Sequence, residues 1–265
     1  MKLIQNRFYF ANLKSAIEHS LIIINCISVN NYIDVSFSGG KDSCVLVELC
    51  KMAGVDYELH YAQVGIDPPE LIKFMKRNYP ETIFHKPAAS FYKLIEKKGF
   101  PTRISKWCCD EIKKKPLHNA SEIMITGLRA SESSGRKDRG SIYHYKKQTV
   151  VNPILYWNEA DVWEFIQERN IKLCDLYKIQ DRIGCVVCPS KGRNIIKEMN
   201  EHPNMFKAML KKSLEYVKCH NGEKFDVYAI IRIMYQLDKH EIPYKLKGMI
   251  KKMERQKMEG HIDGL

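Results

Sequence analysis

The 265-residue chain has no apolar run near the roughly 18 residues that a membrane-spanning helix requires. Its longest early run, Leu21 to Ile24, is too short and too far along the chain for the apolar core of a secretory signal. Without an export signal a disulfide scaffold is not expected, no membrane partner is implied, and the expected address is the cytoplasm. Internal repeats and low-complexity segments are also missing, which excludes solenoid and tract-like architectures. What is present is ordinary for a folded domain. Hydrophobic residues make up 45% and charged residues 28%, too apolar a balance for disorder. The length fits one large domain or one domain with an appendage. The formal net charge is +12, and half of it falls on the last 76 residues, which bears on polyanionic partners and not on fold.

Nine cysteines are many for an intracellular chain of this size, so metal or redox chemistry comes forward. Cys26, Cys44, Cys50, Cys174 and Cys219 are isolated and read as small buried hydrophobes. The other four are paired: Cys108 adjoins Cys109, and Cys185 and Cys188 form a C-x-x-C. Such a thiolate set suits zinc or an iron–sulfur cluster. Arg103, Lys106, Lys113, Lys114 and Lys115 surround the first pair, and nearby cations favour the thiolate form. Gly184 and Pro189 bound the second pair in a tight turn.

Periodicity predicts an opening helix over Asn12 to Asn25, then strands at Tyr32 to Phe37, Tyr57 to Val64, Thr82 to His85, Ile123 to Gly127 and Thr149 to Ile154. Helices are predicted over Asp42 to Met52, from Pro68-Pro69 to Asn78, over Ser90 to Lys98, and from Asn158, an N-cap with Asp161 at the third helical position. Beyond Asn194 only helical periodicity remains. Alternating strands and helices imply an α/β fold, a mostly parallel sheet with helices on both faces and a helical C-terminal extension. The domain division expected is 1–190 for the sheet domain and 191–265 for the basic extension.

Ligands of such sheets bind beyond the carboxyl ends of the strands, so the first strand-to-helix turn matters most. It reads Phe37-Ser38-Gly39-Gly40-Lys41-Asp42-Ser43. Two glycines let the backbone approach a ligand, the helix dipole points there, and Lys41, Ser38 and Ser43 add donors. This composition is a phosphate cradle. Thr126-Gly127-Leu128-Arg129 follows a strand and reaches the same edge, with Arg129 suited to clamp a phosphate or sulfate by its planar fork. Arg136, Lys137 and Arg139 extend a basic loop. Asp67 and Glu70 suit either Mg²⁺ or ribose contact or a plain helix start. His60, His85 and His144 form no ligand pattern and read as structural.

The loop Ser38 to Ser43 resembles the pyrophosphate-loop (PP-loop) superfamily of adenine-nucleotide alpha hydrolases. Further motifs narrow this to the phosphoadenylyl-sulfate (PAPS) reductase family in its phage-like and prokaryotic branch: Asp67 to Glu70, Trp107 to Lys113, Thr126 to Ser133, Asn152 to Ile154, Asp161 to Trp163 and Arg182 to Pro189. The resemblance implies a Rossmann-like PP-loop sheet. It implies an adenine nucleotide, ATP with Mg²⁺, held by Ser38, Gly39, Gly40, Lys41, Asp42, Ser43, Gly127, Arg129 and Glu132, with Lys41, Asp42 and Arg129 as the catalytic set. It further implies Cys108, Cys109, Cys185 and Cys188 as ligands of a 4Fe–4S cluster, with zinc as the lesser alternative.

Two departures from the reductases stand out. Their attacking cysteine lies in a C-terminal E-C-G-x-H-like motif, whereas here His220 to Leu265 holds no cysteine and Cys219 sits outside such a motif. Reductases generally lack the intact S-G-G-K-D-S, which members that use ATP itself retain. The leading expectation is therefore an iron–sulfur enzyme that cleaves ATP between its alpha and beta phosphates, adenylates a substrate and supports sulfur insertion. Nucleic acid, DNA or tRNA, is the acceptor suited to the basic tail, and a sulfur donor is the further partner. The alternatives are a PAPS or adenylyl-sulfate reductase served by a thioredoxin-like reductant, and a non-enzymatic nucleic-acid-binding subunit. Homo-oligomerisation stays open.

Overall fold

The computed structural model describes residues 10–28, 32–102, 104–118, 120–132, 136, 140–188, 195–221, 230–232, 240–242 and 244–258. Strands β1 (Ile33–Ser36), β2 (Tyr57–Ala62), β3 (Ile83–His85), β4 (Ile123–Thr126), β5 (Ile142–Tyr145) and β6 (Gln148–Val151) form one sheet in the order β3-β2-β1-β4-β6-β5. All pairs are parallel except β5 with β6. The strand order reverses between β1 and β4, the switch point at which open α/β sheets bind ligands.

The helices are α1 (Leu13–Ser28), α2 (Lys41–Ala53), α3 (Pro69–Asn78), α4 (Phe91–Lys98), α5 (Lys115–His118), α6 (Glu159–Glu168), α7 (Ile195–Glu201), α8 (Pro203–Asn221) and α9 (Tyr244–Met258). Their starts follow the capping chemistry in the sequence. Asn12 Oδ1 accepts from Ser15 N at 2.9 Å at the head of α1. Ser90 caps α4, and Asn158 and Asp161 complete a reciprocal capping box on α6. No described helix is long and apolar enough to cross a membrane. Every regular element described beyond residue 194 is helical.

Two compact units divide the chain, and they interleave in sequence. The first holds Met1–Gln63, Pro69–Lys86 and Lys114–Ile183, and the second holds Val64–Pro68, Pro87–Lys113 and Gly184–Leu265. In the first, one face of the sheet offers Ile33, Val35, Leu59 and Ile125 to Ile24 of α1 and to Val45, Leu46 and Leu49 of α2, all fully buried. Ser20 crosses this core as a polar tie. Its hydroxyl lies 2.9 Å from Pro153 O and accepts from Trp157 Nε1 at 3.0 Å. In the second unit α4 lies along α8, with Phe91 and Ile95 against Phe206, Met209 and Leu210. Gly99 ends α4 at φ +74°, and a Cβ there would stand 2.9 Å from the Tyr216 ring.

The structure adds one strand that periodicity missed. β5 runs antiparallel to β6 across a Lys146–Lys147 turn in which Lys146 adopts φ 57°. Hairpin turns with positive φ normally carry glycine or asparagine, so the turn's lysines do not announce it.

Ser20→Ala should orphan the buried Trp157 indole donor. It is expected to destabilise the first unit by about 1–3 kcal/mol, read as a lowered urea midpoint with an unchanged slope.

Candidate functional site

The carboxyl ends of β1 and β4 meet the amino end of α2, and two glycines make that meeting possible. Gly39 adopts φ +68°, and a Cβ on it would lie 2.8 Å from Met75 Cγ and 2.9 Å from Leu71 Cδ1 of α3. A Cβ on Gly127 would lie 3.0 Å from the Asp42 carbonyl. Backbone thus touches backbone where β4 ends and α2 begins, which only glycine allows. Ser43 Oγ donates to Gly40 O at 2.8 Å and accepts from Ser38 N at 3.2 Å, closing the loop on itself. The amide of Lys41, one of the unpaired donors of the α2 first turn, donates to the Tyr177 hydroxyl at 2.7 Å. Burial pushes the Tyr177 phenol well up, so it stays a neutral hydroxyl.

Beside this loop two cations are buried together. Lys41 is 5% exposed and Arg129 2%. Lys41 Nζ lies 3.4 Å from Asp42 Oδ2 and 3.3 Å from Glu159 Oε1. Arg129 Nε donates to Asp42 Oδ1 at 2.6 Å, Nη2 to Glu159 Oε2 at 2.5 Å and Nη1 to Ser131 Oγ at 3.2 Å. Two positive and two negative side chains form a closed quartet. Burial raises the Glu159 carboxyl, but the hydrogen bond and charge of Arg129, followed by Lys41, outweigh it and hold the group below its usual range.

Glu159 is the member that sequence reasoning missed. As the first residue of α6 it reads as an acid placed for the helix dipole, whereas its carboxylate bridges Lys41 and Arg129. Arg129, read from the sequence as a phosphate or sulfate clamp, holds a protein acceptor on each of its terminal nitrogens. Glu132 pairs with Arg136 and, at 3.3 Å, with Arg182. Ser133, Lys137 and Arg139 lie outside the described residues. Asp67 Oδ2 accepts from Val64 N at 2.8 Å, a turn-closing bond in the second unit, and Glu70 is an exposed first-turn acid of α3.

The paired cysteines belong to the second unit. Cys109 begins a π-helical turn, Cys109–Lys114, a wide turn that recurs at functional sites. Trp107 anchors the approach by stacking on Phe91 at 5.8 Å and donating from Nε1 to Gly99 O at 3.2 Å. Cys185 and Cys188 flank Val187, which adopts φ 55°, a strained choice for a β-branched residue. Its amide is fixed by Glu198 Oε2 at 2.8 Å, and that of Val186 by Ile66 O at 2.7 Å.

The thiols sense one another. A hydrogen bond with Cys109, then burial, then the charges of Cys109, Cys188 and Cys185 push Cys108 far up. Burial also raises Cys185, although Lys113 opposes it. Lys113 is itself lowered by burial but raised on balance by the charge and hydrogen bond of Cys185, then by Cys109 and Asp67.

This arrangement is an α/β fold with a mostly parallel sheet and a glycine-rich loop at its switch point. Residues 32–191, over half of the chain, match the phosphoadenosine phosphosulfate reductase domain, and the chain belongs to that family. An uncharacterized protein of Methanocaldococcus jannaschii is 29% identical over 213 residues, covering 68% of this chain and 44% of its own. The chain spans about half the length of the archaeal relatives it matches. An adenosine 5′-phosphosulfate reductase of Staphylococcus epidermidis is 28% identical over 181 residues, 60% of this chain and 71% of its own. Among solved structures, the PAPS reductase of Candida auris aligns with 16% identity and a TM-score of 0.48, over 65% of this chain and 91% of that one.

Because Glu159 titrates below its ordinary value, its contribution to stability is complete above pH about 4.5 and is lost as pH falls through the depressed value. Glu159→Gln is expected to flatten the fall of melting temperature between pH 5 and pH 3 relative to wild type, measured by calorimetry.

Proposed function

We propose that the protein is an ATP-dependent enzyme that cleaves between the alpha and beta phosphates, adenylates a substrate oxygen and supports sulfur insertion, with nucleic acid as the acceptor class. The observation that carries this reading is the intact Ser38 to Ser43 loop with Lys41 buried beside Arg129. The substrate oxygen forms a bond to the α-phosphorus, the α–β bridge breaks and pyrophosphate leaves. In that step the protein's work is electrostatic, since charge builds on the leaving oxygens and preorganised donors stabilise it. Lys41 and the α2 amides supply those donors once the nucleotide displaces Tyr177 from the Lys41 amide. Asp42 and Glu159 are the carboxylates suited to Mg²⁺, because a nucleotide that draws Lys41 away frees oxygen ligands on both. Arg129 keeps the two carboxylates oriented, and Gly127 keeps α2 close to β4.

For the cysteines the reading is a 4Fe–4S cluster on Cys108, Cys109, Cys185 and Cys188. Thiolates from an adjacent pair and a C-x-x-C, one pair opening a wide π-helical turn, suit such a cluster. Four thiolates also need a compensating positive charge, and Lys113 supplies one unit. The cluster would supply sulfur or electron chemistry. Lys113 would hold its charge against the Cys185 sulfur, and Val186 and Val187 would keep bulk water from one side. The excess of lysine and arginine over acidic residues after residue 190 supports a polyanionic acceptor.

A second reading, reduction of a sulfated adenosine nucleotide to sulfite, is favoured by the similarity to the staphylococcal reductase. Pyrophosphate release from ATP by anaerobically purified protein, with DNA or tRNA added, separates the two. Pyrophosphate without thioredoxin-coupled sulfite supports the first reading; sulfite without pyrophosphate installs the second. Lys41→Ala is expected to weaken ATP binding at least tenfold in calorimetric titration while the domain stays folded. Iron and sulfide analysis should give about four of each per chain, and Cys185→Ser should lose them; one zinc without labile sulfide would refute the cluster.

A further inference from the structure

Away from the loop, β1 and β2 carry an arrangement that the proposed function does not use. Asp34 and Glu58 are register partners on these adjacent parallel strands, so two like charges stand side by side, a destabilising placement on a sheet. Side chains two residues apart share a face, which brings His60 beside them. His60 is 3% exposed, and its Nε2 lies 2.7 Å from Asp34 Oδ1 and 3.4 Å from Glu58 Oε2. The three ligand atoms all lie within 4.8 Å of one another. Among the described residues no lysine or arginine pairs with either carboxylate, although the chain carries a net charge of +12.

The other imidazole nitrogen is also fixed. His60 Nδ1 lies 2.8 Å from His85 Nε2 on β3, with the two rings stacked at 5.1 Å. A metal-binding histidine characteristically donates its second ring N–H to a fixed acceptor, which orients the ring and sets the tautomer. In the tautomer that donates Nδ1–H to His85 Nε2, the His60 Nε2 lone pair faces the two carboxylates and is placed to share a cation with them.

We infer that Asp34, Glu58 and His60 bind a first-row divalent cation. One imidazole and two carboxylates form an oxygen and nitrogen donor set suited to zinc, manganese or cobalt. Bonds of about 2.0–2.2 Å place ligand atoms roughly 3–4 Å apart, so the observed spacing needs only small side-chain rotations. The half-exposed Glu58 side chain, at 41%, leaves a path for the ion. A cation here would clamp β1 to β2 and relieve the Asp34–Glu58 repulsion. The set is chemically distinct from the cysteine quartet, which takes softer metals.

That difference makes the test specific. Cobalt(II) alone is titrated into nucleotide-free protein and followed by absorption, since cobalt on thiolates gives intense near-ultraviolet charge-transfer bands and cobalt on oxygen and nitrogen gives only weak visible bands. The expected result is one cobalt per chain of the second kind, retained in Cys185→Ser. Its affinity should fall tenfold or more in Glu58→Gln and in Asp34→Asn, each first shown to be folded by circular dichroism. Absence of that band in wild type, or a loss below tenfold in either folded variant, overturns the site and leaves the contact between His60 Nε2 and Asp34 as a plain hydrogen bond.

Discussion

Two buried cations at one sheet edge set the terms for the rest of the first unit. Removing Lys41 and Arg129 from water is costly unless each finds an anion and hydrogen bonds, and the chain supplies both through Asp42 and Glu159. Asp42 reaches Arg129 only because Gly127 lets the head of α2 sit against the end of β4. Glu159 reaches both cations because the Asn158 box starts α6 at that residue. The capping box, the glycine contact and the ion quartet are therefore one arrangement seen from three sides. A change in any of them disturbs the electrostatics of the others.

The second unit solves a problem of opposite sign. Cys108, Cys109, Cys185 and Cys188 lie close enough to raise one another's proton affinity, and one lysine from the π-helical turn stands among them. The widened turn and the left-handed Val187 both hold thiols in place at a conformational cost. The surrounding apolar side chains and the amide bonds to Ile66 and Glu198 sustain that cost.

Much of this was legible beforehand, for physical reasons. The parallel strands are short apolar runs bounded by turn residues, and the helix starts carry their own caps, so periodicity and capping located them. The glycine-rich loop was legible because few residue types allow so close an approach of backbone to its neighbours. What escaped is what depends on partners distant in sequence. Glu159 looks like any first-turn acid until Lys41 and Arg129 are placed beside it. The π-helical turn has the composition of an ordinary helix. His60 and His85 sit on separate strands from Asp34, so no spacing links them until the register of β1, β2 and β3 is known. β5 was hidden by a lysine in a turn position that usually advertises itself with glycine.

The Tyr177 hydroxyl on the Lys41 amide has a consequence for discrimination among ligands. The Lys41 amide, the lysine and the arginine are all satisfied from within, so the nucleotide of the proposed reaction would have to displace a partner at each. It has to outcompete a phenol and a carboxylate, and the population ready to receive it limits its apparent affinity. A lone phosphate or sulfate replaces one native partner with a similar one and gains little. A polyphosphate chain can engage the amide and the lysine at once and bring its own cation for the carboxylates it displaces. On the proposed reading the resting contacts would act as a threshold, selecting anions by charge and reach before any base or sugar is read.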